Sequence, residues 1–209
     1  MKSLFALIGT LFISANLAAD PLTTATNRSC CVQVPPSAPL TDNSLFHLDS
    51  TWTNDASRPL KLISFQGRPH VVTMFFSSCA YACPILVHDM KRIEAGLPEN
   101  IRTNVGFILI SFDTDRDTPP VLATFRAQHE LPPNWTLLRG STDDVLELAA
   151  LLGIKFKKDS RGDFAHSNVI SLLNPNGEII LQQIGLNRDP SPVSSAIENL
   201  LQPSSGTIP

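Results

Sequence analysis

Cys79 and Cys83 stand with three residues between them in the stretch Phe75-Phe76-Ser77-Ser78-Cys79-Ala80-Tyr81-Ala82-Cys83-Pro84. Two thiols on one loop can share a metal ion or oxidise to a disulfide. With one imidazole added they make a soft, mixed sulfur and nitrogen site. Thiolates select Cu(I) and zinc, and imidazole also suits Cu(II). The chain has five histidines. His88 lies on a helix-like run just past Cys83 and reads as solvated. His47 and His70 flank early strand-like runs with no motif around them. His129 ends a helical pattern, where a basic side chain suits the helix dipole. His166 lies in a loop just before a late apolar run, and either abuts the cysteine loop as a third ligand or is an ordinary exposed loop histidine. Three protein ligands leave a coordination position open, which suits a carrier that must pass its ion on, whereas structural zinc sites close all four positions. The competing chemistry is thiol–disulfide exchange by the same pair. Redox motifs of the thioredoxin kind place two residues between their cysteines; here there are three.

These residues need elements to hold them. Val71 to Phe76 is a nearly continuous apolar run, as expected of a strand buried on both faces. Leu86, Met90, Ile93 and Leu97 recur at helical spacing after it. Pro84 suits the first position of that helix, which places Cys83 at or beside the N-cap and folds Cys79 back over the helix start. A thiolate there sees the positive end of the dipole, which lowers its pKa. Before this unit, Leu45 to Thr53 and Leu60 to Phe65 alternate weakly and fit a small N-terminal hairpin. After it, Val105 to Phe112 is a second buried strand, Thr118 caps a helix over 119–129, Trp135 to Leu138 is a short strand, and Asp143 to Leu152 is a helix ended by Gly153. Lys155 to Phe164 reads as a polar hairpin or excursion. Val169 to Leu173 and Ile179 to Ile184 are strands joined by Asn174-Pro175-Asn176-Gly177, a strong turn signal. A last helix runs from Pro192 to Leu201. Asp113, Asp115 and Asp117 alternate in a loop but lack the Gly and distal Glu of a calcium loop, so they read as a capped, solvated turn. This order predicts an α/β fold of the thioredoxin-like plan: a mixed central β-sheet flanked by helices on both faces, with an N-terminal hairpin.

With 209 residues the chain suits one packed domain. Its net charge of −3 and scattered basic residues give no sign of a nucleic-acid partner. There is no nucleophile elbow, no Gly-rich phosphate loop and no dinucleotide fingerprint. Lys2, the apolar Leu4 to Leu17 and the small Ala18-Ala19 read as a signal peptide over 1–19, too short for a membrane span of about 20 residues. A membrane is involved only if that segment is uncleaved. Residues 20–42 read as a linker, 43–203 as the domain and 204–209 as a disordered tail. Export places the cysteines in an oxidising space. Cys30-Cys31, inside the linker, reads first as exposed thiols or a bond to another chain, because a bond between neighbours is strained. An accessory metal or redox pair is the sharper alternative.

Cys79-x-x-x-Cys83-Pro84, then Ser111-Phe112-Asp113-Thr114-Asp115-Arg116-Asp117-Thr118-Pro119, then His166-Ser167, in that order, resemble the Sco/SenC proteins over roughly Asn43 to Leu201. The resemblance implies a thioredoxin-like fold and binding of copper, as Cu(I) and Cu(II), by Cys79, Cys83 and His166. It also implies delivery of copper to the dinuclear copper site of cytochrome c oxidase, or reduction of that site's cysteines. The copper-site subunit would be a transient partner, met in the periplasm. Other periplasmic copper carriers or thioredoxin-like reductants would be further partners. The sequence departs from the pattern at Ala165, where many members carry an acid, and in the apolar loop Ala80-Tyr81-Ala82. Cys30-Cys31 is not part of the family core. Two other readings stand beside copper delivery. One is an exported thiol–disulfide oxidoreductase in which Cys79 and Cys83 cycle and His166 tunes them. The other is a redox or copper sensor.

Overall fold

Two short antiparallel strands, β1 (Trp52–Asn54) and β2 (Pro59–Leu60), begin the sheet. The chain then alternates strands with helices: β3 (His70–Phe75), α1 (Ala82–Gly96), the short α2 (Glu99–Arg102), β4 (Gly106–Ser111), α3 (Pro119–Gln128), β5 (Trp135–Arg139) and α4 (Thr142–Leu151). A small hairpin of β6 (Phe156–Lys158) and β7 (Phe164–His166) follows, then β8 (Val169–Leu173), β9 (Ile179–Ile184) and α5 (Ser191–Leu201). This computed structural model describes residues 39–160 and 162–202. The signal segment, nearly all of the linker, Cys30, Cys31 and the tail lie outside the described residues. The chain divides into units 1–35 and 36–209, and every described residue lies in the second. No helix of the described residues is long and apolar enough to cross a membrane.

Seven strands form one mixed sheet in the order β2-β1-β5-β4-β3-β8-β9. β3, β4 and β5 run parallel, and β8 lies antiparallel beside β3. All six residues of β3 and of β4 are buried, because helices cover both faces of the central strands. On one face Phe75 meets Phe125 of α3, with ring centroids 4.9 Å apart, and α1 packs beside α5. On the other face Val72, Ile108 and Ile110 gather with Leu148 of α4, Phe46, Leu62 and Phe65. The architecture is therefore the thioredoxin-like plan that the pattern of strands and helices predicts.

Local chemistry sets the ends. Ser141 caps α4 in a reciprocal box: its Oγ accepts from the Asp144 N–H at 3.2 Å, and the Asp144 carboxylate accepts from the Ser141 N–H at 3.3 Å. Asn174 Oδ1 accepts from the N–H groups of Asn176 and Glu178, closing the β8–β9 turn with Gly177 at φ +81°.

Four expectations change. The N-terminal hairpin is shorter than its alternation suggests, and Leu45–His47 and Leu62–Phe65 are 3₁₀ turns. Leu62 and Phe65 are three apart, so one such turn points both into the core. Thr118 occupies the N-cap of α3, but its side chain makes no capping bond. The helix after the cysteine loop begins at Ala82, two residues before Pro84. His166 is the last residue of a strand rather than a loop residue.

Candidate metal centre

β3 and β4 end side by side, Phe75 opposite Ser111, so the loops that follow them are neighbours at the C-terminal end of the parallel strands. Open α/β sheets place their sites there. The first of these loops carries the cysteines. It turns at once, with the Cys79 N–H donating to the Phe76 carbonyl at 3.2 Å. Tyr81 takes the N-cap position of α1 without capping it. Cys83 lies in the first turn, and its N–H donates to Cys79 Sγ at 3.3 Å. The sulfur thus takes the place of a capping oxygen, satisfying one of the donors that a helix start leaves free. Pro84 still costs nothing, because a first-turn N–H has no partner within the helix. Cys83 is fully buried and Cys79 half-buried. Tyr81, between them, is 75% exposed.

His166 arrives from β7. The β6–β7 ladder pairs Phe156 with His166 and Lys158 with Phe164, so these four share one face of the hairpin. Phe112 lies against that face, stacked on Phe156 at 5.0 Å and 5.0 Å from the His166 ring centre. Phe76 meets the same imidazole edge-on at 6.0 Å. His166 Nε2 comes to 3.8 Å from Cys83 Sγ. One ligand atom from each of Cys79, Cys83 and His166 lies within 4.8 Å of the others. An ion held by two sulfurs at about 2.3 Å and one nitrogen at about 2.0 Å in a trigonal plane spaces its donors by about 4 Å. The three donors fit such an ion with little movement.

The ring's orientation follows from one bond. His166 Nδ1 lies 3.1 Å from the Ser167 carbonyl, which can only accept, so Nδ1 carries the proton and Nε2 presents its lone pair to the sulfurs. Burial among the phenylalanines lowers the His166 pKa, which keeps the ring neutral, while the Ser167 carbonyl pulls the other way. Ala165 faces out from the opposite side of β7, and the Nδ1 partner is the Ser167 carbonyl, so the bond that orients the ring comes from the backbone and not from a carboxylate. The thiol that enters the helix departs from expectation. Burial pushes Cys83 well above the usual range, a hydrogen bond with the Phe76 backbone opposes the rise, and Cys79 and Asp117 reinforce it. Burial disfavours the charged thiolate, and here it is the largest influence.

The structure thus brings together the three residues that the sequence singles out and leaves the other histidines apart. His88 is exposed on α1, and His70 is buried at the start of β3, at the far end of the strand from the cysteine loop. It also corrects the reading of the aspartate loop. Asp113 and Asp117 are fully buried; only Asp115 faces solvent. The Asp117 carboxylate accepts from the Ser77 N–H at 2.9 Å and from the hydroxyls of Ser77 and Ser111. Asp113 pairs with Arg116. The burial follows from the register that sets the loops after β3 and β4 side by side.

The family model described as SCO1/SenC matches residues 40–202. A Stutzerimonas stutzeri protein named for copper binding is 28% identical over 126 residues, 58% of this chain and 61% of that protein's length. The chain thus spans less than two thirds of this curated relative. Among solved structures, Bradyrhizobium japonicum ScoI with copper bound superposes with a TM-score of 0.62 at 19% identity, covering 73% of this chain and 97% of that one. A SCO1/SenC family lipoprotein from Bacillus anthracis superposes with a TM-score of 0.66 at 23% identity, covering 72% and 91%. With a family match across nearly all of the described residues, the chain belongs to the SCO1/SenC family.

Proposed function

We propose that this protein is an exported copper carrier that binds one copper ion through Cys79, Cys83 and His166 and hands it to the dinuclear copper site of cytochrome c oxidase. The observation that carries the reading is the gathering of two sulfurs and one imidazole nitrogen within 4.8 Å of one another at the end of the parallel strands. Soft sulfur donors favour Cu(I), and the neutral imidazole lets the same set hold Cu(II). The buried Cys83 is a poor thiolate by itself, and a cation placed on it supplies the charge that lets it ionise. A fourth position open to a partner's ligand lets the ion move without first leaving all its donors. The copper-binding names of relatives support the choice of metal, and the lipoprotein name of one supports an exported site of action, facing the periplasm. The recipient follows from the family resemblance. No feature of the geometry favours the oxidoreductase reading.

The test is Cu(I) and Cu(II) binding to the reduced protein without residues 1–19, in wild type and His166→Ala. One copper per chain with a thiolate-to-Cu(II) absorption band, both weakened at least about tenfold in the variant, is the expected result. Weak binding indifferent to His166, beside a readily reduced Cys79–Cys83 disulfide, would sink the carrier reading.

A further inference from the structure

Two of the three donors come from a loop of the main sheet, and the third comes from the β6–β7 hairpin, which shares no ladder with that sheet. Main-chain bonds to the sheet begin at Asn168, whose carbonyl accepts from the Gly185 N–H at 2.9 Å, so they tether the hairpin at one end and leave the body of β6 and β7 to other contacts. The aromatic contacts of Phe76, Phe112, Phe156 and Phe164 draw the hairpin in, but apolar contact has little direction and permits sliding. Directional bonds between the hairpin and the loop after β4 come from Asp115 and Arg116. Arg116 Nη2 donates to the Gly162 carbonyl at 2.5 Å, in the turn of the hairpin. Its Nε is held by the buried Asp113 carboxylate, which aims the guanidinium. Asp115 pairs with Lys158 of β6 at 2.8 Å. The next residue, Asp117, binds the other half of the site through the Ser77 N–H and hydroxyl, two residues before Cys79. Three consecutive residues thus hold both ligand-bearing segments at once.

We propose that Asp115–Asp117 is a clamp that positions His166 against the cysteine pair, with Arg116 as the positioning residue on the hairpin side and Asp117 on the cysteine side. Its consequence for copper rests on the carrier reading above; its geometry does not. An arginine is required because its planar fork reaches a carboxylate and a carbonyl together, which the single ammonium of lysine cannot do at this spacing. Asp117 is wholly buried, and changing it risks the fold, so Arg116, whose side chain is 42% exposed, is the place to test the clamp.

The first measurement is amide hydrogen exchange in the metal-free protein for wild type, Arg116→Ala and Arg116→Lys, with the β3 and β4 amides as an internal control. Both variants should exchange roughly tenfold or more faster in β6 and β7, with the control amides unchanged. The second is Cu(II) affinity in a double-mutant cycle with His166→Ala. Arg116→Ala should weaken binding about tenfold when His166 is present and have no effect when it is absent, because it acts through that ring. Unchanged hairpin exchange in both variants overturns the clamp whatever copper does. Faster exchange with Cu(II) affinity unaltered, or lowered equally with and without His166, overturns the positioning role. If His166→Ala alone leaves copper binding intact, the three-ligand reading fails, and hydrogen exchange still decides the clamp.

Discussion

At His166 the two ring nitrogens have separate tasks. Nδ1 is tied to the Ser167 carbonyl, and Nε2 is left to face Cys83. This tautomer is fixed by a backbone carbonyl and needs no acid at the position of Ala165. The protonation of a second histidine is set chiefly by burial. His70 is 1% exposed, and burial together with the nearby Arg68 charge lowers its pKa from 6.5 to about 4. The folded chain keeps this ring neutral while the unfolded chain protonates it below pH 6.5. Its stabilising contribution is therefore complete above that pH and lost as pH falls toward 4. The loss is about 3 kcal/mol across the window. Urea unfolding between pH 7 and pH 4 should show this slope, and His70→Phe should flatten it. A slope unchanged in His70→Phe would place the acid sensitivity elsewhere.

At the scale of elements, the β6–β7 hairpin shares no ladder with the main sheet and packs on it through aromatic contacts. Phe112, just past β4, touches Phe76, Phe156, Phe164 and the His166 ring. Phe112→Ala removes the common surface of that cluster. Unfolding free energy should fall by about 3–5 kcal/mol, and Cu(II) affinity should fall with it, as the ring loses its seat. Stability lowered with the copper site untouched would mean that the hairpin is held without the cluster. The start of β4 makes a similar demand on packing. A Cβ on Gly106 would stand 2.3 Å from His70 Cδ2, so Gly106→Ala should destabilise the protein by about 1–3 kcal/mol. Thermal unfolding checks it, and a Tm equal to wild type would show that the ring can move aside.

At the scale of the whole molecule, the three donors belong to the unit 36–209, at one end of its parallel strands. The exposed Tyr81 and the half-buried Cys79 leave the candidate centre facing outward, where an incoming ligand can reach it. The chain shortened to residues 36–209 should bind one copper per chain with the affinity of the longer protein and unfold at the same temperature. A copper affinity that falls on shortening would show that residues 1–35 contribute to binding.

The sequence by itself determined the order of strands and helices, because buried central strands must be apolar throughout and helices must repeat their apolar residues every three or four positions. It also singled out Cys79 and Cys83, since loop thiols beside a helix start carry their chemistry in their spacing. The tertiary structure alone decided the rest. It brought His166 to Cys83 across 83 positions of chain, on a hairpin that meets the neighbouring loops through aromatic contacts, the Lys158–Asp115 ion pair and the Arg116–Gly162 hydrogen bond, none of which a local pattern encodes. It turned the alternating aspartates from a solvated loop into buried struts, because their environment is made by the neighbouring loop and not by their own segment. It also raised the Cys83 pKa that a helix start alone would lower. Access to water is a property of the packed whole, and burial is the largest influence on this thiol.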